Sequence, residues 1–196
     1  MELEDYVNEL AEKVFNLYET FIDEKLGRKR VEVKSATDSP FPTLFGPFTY
    51  VSPLFPDTIF VRDIEIVKKC PTKYENYLIH ECVHIANLKV NQAYKLYNKK
   101  YEIINEGSAR FLTAEIFKKK KEKAIVLCEK VLYYPSIILT KFLQSGSKEI
   151  EVENILESYV LGYKFFSKIY KKYGLKEVFK IIKNPDIAEY YGVIKW

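Results

Sequence analysis

Histidine and cysteine are scarce in this chain, and their scarcity narrows the chemistry available to it. Only two histidines occur among the 196 residues, so a site that needs a pair of imidazoles must use both of them. The three cysteines are odd in number and include no Cys-x-x-Cys pair, which excludes a disulfide scaffold and is typical of a reducing compartment. They are Cys70, Cys82 and Cys128.

The chain also lacks a long hydrophobic run and a strong excess of charge. Its longest apolar stretch, 131–140, contains Pro135 and is too short to cross a bilayer. Residues 1–5 are rich in acidic side chains, where a signal peptide would carry positive charge. The net charge of +4 is too small to require nucleic acid as a partner. We therefore expect a cytoplasmic protein that binds neither membranes nor nucleic acids.

The N-terminal third of the chain predicts one helix and a small sheet. Apolar residues at helical spacing over 2–26 predict an amphipathic helix, with Gly27 as its C-terminal cap. Short β-type stretches predict three strands, of which the second lies within a proline-rich loop as an edge strand. These strands cover residues 31–34, 48–51 and 58–62.

The rest of the chain predicts mainly helices, separated by proline and glycine. Thr72 is the expected N-cap of the first of these helices. The helices cover about 72–88, about 103–118, a stretch that ends before Pro135, about 150–173, and 175–183. A helix, a small sheet and then several helices together predict an α+β domain with a mostly helical C-terminal half.

Both histidines belong to one five-residue motif, His80-Glu81-Cys82-Val83-His84. Residues four apart on a helix share a face, so both imidazoles can reach one ion, while Glu81 projects beside them. This is the H-E-x-x-H pattern of zinc hydrolases, in which the glutamate acts on a metal-bound water and is not a ligand. Cys82 lies on a different face, and we expect it in the core.

Catalytic zinc takes three protein ligands and a water, so a third ligand is needed. Because no histidine remains, that ligand must be Asp, Glu or Cys. Glu106, within Asn105-Glu106-Gly107, is the strongest candidate, and we expect it in the first turn of the next helix. If Glu106 were not the ligand, Cys70 would be the first alternative to test.

These two motifs resemble those of the gluzincin zinc metallopeptidases, in which a glutamate on a second helix follows H-E-x-x-H. The second motif is similar to the N-E-G-x-A signature of aminopeptidase-type gluzincins, and the element order of residues 1–117 resembles archaeal minigluzincins. The resemblance implies a zincin-like core over 1–118, made of backing helix, small mixed sheet, active-site helix and glutamate helix. A helical C-terminal subdomain and tail would cover 119–196.

The resemblance further implies that His80, His84 and Glu106 bind Zn²⁺ and that Glu81 is the general base of peptide hydrolysis. Thermolysin-like members carry an aspartate four residues after the ligand glutamate, where this chain has Arg110. The residues that support the ligands must therefore come from elsewhere.

A peptidase also needs a donor to the tetrahedral oxyanion besides the metal. With both histidines used as ligands, we expect a tyrosine in this role, as in several gluzincins. Tyr159 and Tyr163 are candidates because they lie four apart on one helix, with Gly162 nearby to allow a close approach. The alternative is that both tyrosines pack in the core.

Two function classes follow from the sequence. The first is a zinc peptidase acting on a peptide or protein that pairs as an extended chain with an edge strand from the 58–62 region. The second is a degenerate zincin that acts as a non-catalytic binding or sensor module.

The aromatic tail that ends at Trp196 is not expected to be an idle solvated end, and two interpretations of it are open. It packs on the helical lobe, or it lies in the cleft and makes the peptidase latent, as the resemblance to minigluzincins implies. In the second case Asp186 or Glu189 would occupy the open position of the zinc.

Overall fold

The computed structural model describes residues 2–27, 30–39, 49–95, 98–119 and 152–192, with the side chains of the last range described from Val160 onward. The fold is mixed α+β, mostly helical, with a small three-stranded mixed sheet. None of the helices in these ranges is long and apolar enough to cross a membrane.

The N-terminal helix, α1 (Leu3–Ile22), packs one apolar face into the core. Val7, Val14 and Tyr18 on this face are fully buried. The helix ends at Asp23, which adopts a left-handed conformation with φ of 55°. Aspartate tolerates this conformation better than most residues, so the chain leaves the helix four residues before the predicted cap at Gly27.

The sheet contains β1 (Glu32–Ser35), β2 (Thr49–Ser52) and β3 (Phe55–Val61) in the order β1-β3-β2. β3 pairs parallel with β1, with Val33 opposite Ile59, and antiparallel with β2, with Thr49 opposite Val61. β3 is therefore the central strand, and its carboxyl-terminal half is buried. The prediction that the 58–62 region supplies an edge strand is wrong, because both sides of β3 are already paired.

Six helices and a π-helical turn are found in the described residues, and the sequence predicted most of them. After α1 come α2 (Ile64–Lys69), α3 (Glu75–Val90), α4 (Lys99–Phe111) with a π-helical turn (Leu112–Ile116), α5 (Val152–Tyr173) and α6 (Leu175–Lys183). Short 3₁₀ segments include Pro71–Tyr74 and Pro185–Tyr191. The predicted helix that ends before Pro135 lies outside the described residues.

Two of the predicted helix starts are displaced, and one displacement changes the setting of the candidate ligand. Thr72 lies within a 3₁₀ segment, so α3 begins only at Glu75. α4 begins four residues earlier than predicted, because the side chain of Asn98 accepts a hydrogen bond from the backbone N–H of Lys100 and caps the helix. Glu106 consequently lies in the interior of α4 and not in its first turn.

A single hydrophobic cluster lies between the helices and one face of the sheet. α3 is at its centre, since every residue from Asn76 to Leu88 except His80 is buried. Residues from both sides of the predicted boundary at 118/119 contribute to this cluster, among them Leu78, Phe111, Phe166 and Phe179. α3 is thus a buried helix, and a polar side chain on it is costly unless it finds a partner within the protein.

Candidate metal centre

Three side chains from α3 and α4 converge on one point. The imidazoles of His80 and His84 lie edge to face with ring centroids 4.6 Å apart, and their Nε2 atoms are separated by 3.1 Å. The Oε2 atom of Glu106 lies 3.3 Å from the Nε2 atom of each histidine. Among the described residues, this is the one group of three or more His, Cys, Asp or Glu whose donor atoms approach closely enough to hold a metal ion.

The size of this triangle fits a metal ion. Donors about 2.0–2.1 Å from a tetrahedral ion lie about 3.3–3.4 Å from one another, close to the separations of 3.1 and 3.3 Å found here. The Oε2 atom of Glu106 is buried, and apart from the two Nε2 atoms it has no hydrogen-bond partner among the described residues. A buried carboxylate oxygen without a hydrogen-bond donor is costly, and a cation coordinated at this point would remove that cost.

The charges of the three side chains also favour a cation between them. Burial lowers the pKa of His84, but the carboxylates of Glu106 and Glu81 and the contact with Asn105 outweigh this effect and raise it to about 9. Burial raises the pKa of Glu106, whereas the two histidines hold it well below its usual range. A positive charge at the centre of the group, whether a proton or a metal ion, is therefore stabilised.

His84 is held in place by the residue that precedes Glu106. Its Nδ1 atom lies 3.0 Å from Oδ1 of Asn105. Because the amide oxygen can only accept, Nδ1–H donates to it, and in the neutral ring the lone pair of Nε2 faces Glu106. Asn105 thus provides the support that the sequence left unplaced. Arg110, at the position where thermolysin-like enzymes have aspartate, is exposed and lies beside the ring of Tyr163.

Glu81 is buried next to the donor group without belonging to it. Its side chain is 5% exposed, and its Oε1 atom accepts a hydrogen bond of 3.0 Å from the hydroxyl of Thr49. Thr49 is the first residue of β2, so the strand and α3 meet at this carboxylate. Sequence reasoning predicted the strand at 48–51 but did not identify Thr49, because nothing in its local sequence points to Glu81.

The two candidate tyrosines have different settings. Tyr163 donates its hydroxyl to Glu115 in the π-helical turn, and Glu115 is not one of the metal-donor residues. This hydrogen bond raises the pKa of Tyr163. Tyr159 lies one turn earlier on α5, but its side chain falls outside the described residues. The expectation that one of the two donates to an oxyanion stays a prediction.

Comparisons with known proteins do not assign the chain to a family. No family model, curated protein or solved structure matches the chain.

Neither described cysteine takes part in the donor group. Cys82 is completely buried in the core, as expected, and burial raises the pKa of its thiol above the usual range. Cys70, the alternative to Glu106 in the sequence analysis, is exposed and lies outside the group. The ligand set that the geometry offers is thus the two histidines and Glu106.

Two acidic residues of the C-terminal segment do not lie where the latency prediction places them. Lys100 binds Oδ1 of Asp186 at 2.9 Å and Oε1 of Glu189 at 2.7 Å. Tyr101 donates a second hydrogen bond to Asp186. Neither carboxylate belongs to the metal-donor group, so the prediction that one of them occupies the open position is not met. They are ion-paired with the first turn of α4.

Proposed function

We propose that this protein is a zinc-dependent metallopeptidase of the gluzincin type, with His80, His84 and Glu106 as the zinc ligands and Glu81 as the general base. The triangle of Nε2, Nε2 and Oε2 atoms with edges of 3.1–3.3 Å is the observation that carries this proposal. Two imidazoles and one carboxylate with a free fourth position are a ligand set of catalytic zinc in peptidases. The order of α1, small sheet, α3 and α4 agrees with a zincin-like core.

When bound, zinc would lower the pKa of a coordinated water towards neutrality and polarise the substrate carbonyl. The remaining steps belong to residues of the chain. Glu81, one residue from a ligand and buried beside it, accepts the proton of the water on its carboxylate and passes it to the leaving amine. Thr49 holds one carboxylate oxygen of Glu81 through its hydroxyl.

The position of β2 suggests how an extended substrate binds. Among the described strands β2 pairs only with β3, and its first residue contacts the general base. A peptide added along the other edge of β2 would run beside Glu81, with main-chain hydrogen bonds supplying the affinity. This proposal moves the substrate-binding edge from the 58–62 region to residues 49–52.

The metal assignment predicts one zinc ion per chain. Glu106→Gln keeps the size of the side chain but replaces one acidic ligand with a neutral amide, so we expect zinc affinity to fall by at least about 100-fold. Elemental analysis after dialysis and competition with a chelator measure stoichiometry and affinity. Glu115→Gln, a matched change outside the donor group, should leave both unchanged. Full zinc affinity in Glu106→Gln would contradict the assigned ligand set.

The catalytic assignment predicts that binding and turnover can be separated at Glu81. Glu81→Gln should retain zinc but lose about 10²- to 10⁴-fold in kcat, because the amide cannot accept the proton. Casein and a mixed peptide library serve as substrates, and Glu75→Gln on the same helix is the control. A zinc-loaded wild type without turnover on any substrate would favour the non-catalytic binding or sensor module. An equally active Glu81→Gln would contradict the assignment of Glu81 as the general base.

A further inference from the structure

A chain of buried polar side chains links the N-terminal helix to His84. The hydroxyl of Tyr18 on α1 donates to Oδ1 of Asn87 at 2.5 Å. The amide of Asn87 donates to Oδ1 of Asn105 at 2.7 Å and to the hydroxyl of Ser108 at 3.0 Å. Oδ1 of Asn105 is also the acceptor for Nδ1 of His84. Tyr18, Asn87 and Ser108 have no exposed surface, so water does not compete for these bonds.

The hydrogen bonds in this series fix which amide atom faces which partner. The amide of Asn87 uses both of its protons, one on Asn105 and one on Ser108, and its oxygen is the acceptor for Tyr18. Asn105 therefore presents its oxygen to His84. In its neutral form His84 must therefore carry its proton on Nδ1, and its Nε2 atom presents a lone pair to the metal-donor group.

The reverse arrangement, in which the oxygen and nitrogen of both amides exchange places, satisfies the two amides almost as well. If Asn87 and Asn105 were both turned over, Asn105 would donate its amide proton to Nδ1 of His84. The ring would then carry its proton on Nε2, where it blocks coordination. In that arrangement Asn87 donates to the oxygen of Tyr18, and the phenolic proton loses its acceptor. The structure gives the hydroxyl of Tyr18 no hydrogen-bond partner other than Asn87 among the residues it describes, and an unpaired buried donor is strongly disfavoured.

We propose that Tyr18 is a positioning residue for the metal centre: through Asn87 and Asn105, its hydroxyl proton fixes His84 in the tautomer that leaves Nε2 free for the metal. This inference rests on the ligand set of the proposed function but not on the peptidase reaction. Two further observations support it. The ring of Tyr18 packs edge to face on Phe179 at 4.8 Å, which fixes the hydroxyl in space. Burial raises the pKa of Tyr18 well above its usual value, so the hydroxyl keeps its proton.

The tautomer of His84 can be observed directly, since a chain with only two histidines gives a simple long-range ¹H–¹⁵N spectrum. Spectra of the metal-free full chain are recorded on the alkaline side of the observed histidine titration, where both rings are neutral. We expect the Nδ1–H tautomer in the wild type and a mixture with a substantial Nε2–H share in Tyr18→Phe. Zinc affinity of Tyr18→Phe, measured by chelator competition, should fall about tenfold, as for other residues that orient a ligand.

Two further variants separate positioning from a general loss of stability. Tyr94→Phe removes another buried tyrosine hydroxyl, which donates to the carbonyl of Ile182 at 2.7 Å outside this chain of bonds. It should leave the tautomer and the zinc affinity unchanged. Asn105→Asp places a group that can only accept beside both His84 and Asn87, which fixes the same arrangement without Tyr18. When Tyr18→Phe is added to the Asn105→Asp variant, it should therefore cost no zinc affinity.

An unchanged His84 tautomer in Tyr18→Phe would overturn the inference. The same holds for an equal loss of zinc affinity in Tyr94→Phe, or a tenfold cost of Tyr18→Phe that persists when it is combined with Asn105→Asp. If the wild-type chain bound no zinc, the ligand assignment would fail. The spectra of the metal-free chain would still decide whether Tyr18 sets the tautomer.

Discussion

At the scale of single residues, the contact between Thr49 and Glu81 is the one that most directly affects the proposed chemistry. Both side chains are at least 95% buried, and the hydrogen bond between them is 3.0 Å long. A carboxylate that swings freely would meet the attacking water in many orientations. The hydroxyl of Thr49 restricts Glu81 to one of them, which lowers the entropic cost of the proton transfer.

Thr49→Val keeps the shape of the side chain and removes only its hydroxyl. We expect kcat to fall about 10- to 100-fold with KM and zinc content little changed, because the variant misplaces the base but no ligand. Thr49→Ser should restore most of the rate. Thr58→Val makes the same change at a buried position of β3 and serves as the control. A wild-type rate in Thr49→Val, measured by steady-state kinetics, would show that Glu81 needs no such support.

The donor residues could be predicted from the sequence, whereas their supporting residues could not. His80, Glu81 and His84 are identified by residue type and helical spacing. The scarcity of histidine leaves Asp, Glu or Cys as the third ligand, and Glu106 is preferred among these for its place on the next helix. Thr49 lies 32 positions from Glu81, and Tyr18 lies 69 positions from Asn87. Such contacts form only when β2 and α1 pack against α3. No local sequence pattern predicts which polar side chains will then be in contact.

At the scale of elements, the close crossing of α4 and α5 positions the glutamate ligand. A Cβ atom built on Gly107 would lie 2.3 Å from the Cα atom of Gly162, and one built on Gly162 would lie 2.3 Å from the carbonyl oxygen of Ile103. The two backbones are therefore in direct contact, immediately after Glu106. The sequence predicted that something approaches Gly162 closely, and the structure identifies it as the backbone of α4.

Gly162→Ala should separate these helices. The new methyl group would overlap backbone atoms, which cannot move aside as a flexible side chain can, so we expect a loss of about 3 kcal/mol in the free energy of unfolding. Zinc affinity should fall as well, because Glu106 moves with α4. Chemical denaturation and chelator competition measure the two effects. Gly27→Ala, with nothing within 4 Å of the added atom, is the control and should be nearly neutral.

A variant Gly162→Ala with wild-type stability would show that α5 does not need this crossing.

The bounds of the two C-terminal helices were predicted almost to the residue, because Gly174 and Pro185 end them in the sequence itself. The start of α4 was not, since its cap depends on the side chain of Asn98. The single-turn helix α2 was missed because six residues carry too little periodicity.

At the scale of the whole molecule, the C-terminal 3₁₀ segment (Pro185–Tyr191) covers part of the hydrophobic core. Pro185 and Ala188 in its 3₁₀ segment are buried, and Tyr191 donates its hydroxyl to Glu177 on α6. Lys100 ties Asp186 and Glu189 to α4, which holds the pKa of Asp186 below its usual range. The sequence predicted that the aromatic tail packs on the helical lobe, and the part of it that the structure describes does so, whereas Trp196 lies outside the described residues. Which surface it covers depends on the packing of α4 and α6.

Truncation after Lys183 tests what this segment does for the whole chain. Removing it exposes apolar surface of α4 and α6, so we expect a lower midpoint of thermal unfolding and an unchanged zinc stoichiometry. Lys100→Met is the matched control, since it breaks the ion pairs to the exposed carboxylates of Asp186 and Glu189 and should cost about 1 kcal/mol. Asp186 and Glu189 are held by Lys100 and not by the donor group, so zinc-loaded truncated protein should cleave peptides no faster than the full chain. A truncated protein of unchanged stability and higher activity would instead support the latency that the resemblance to minigluzincins implies.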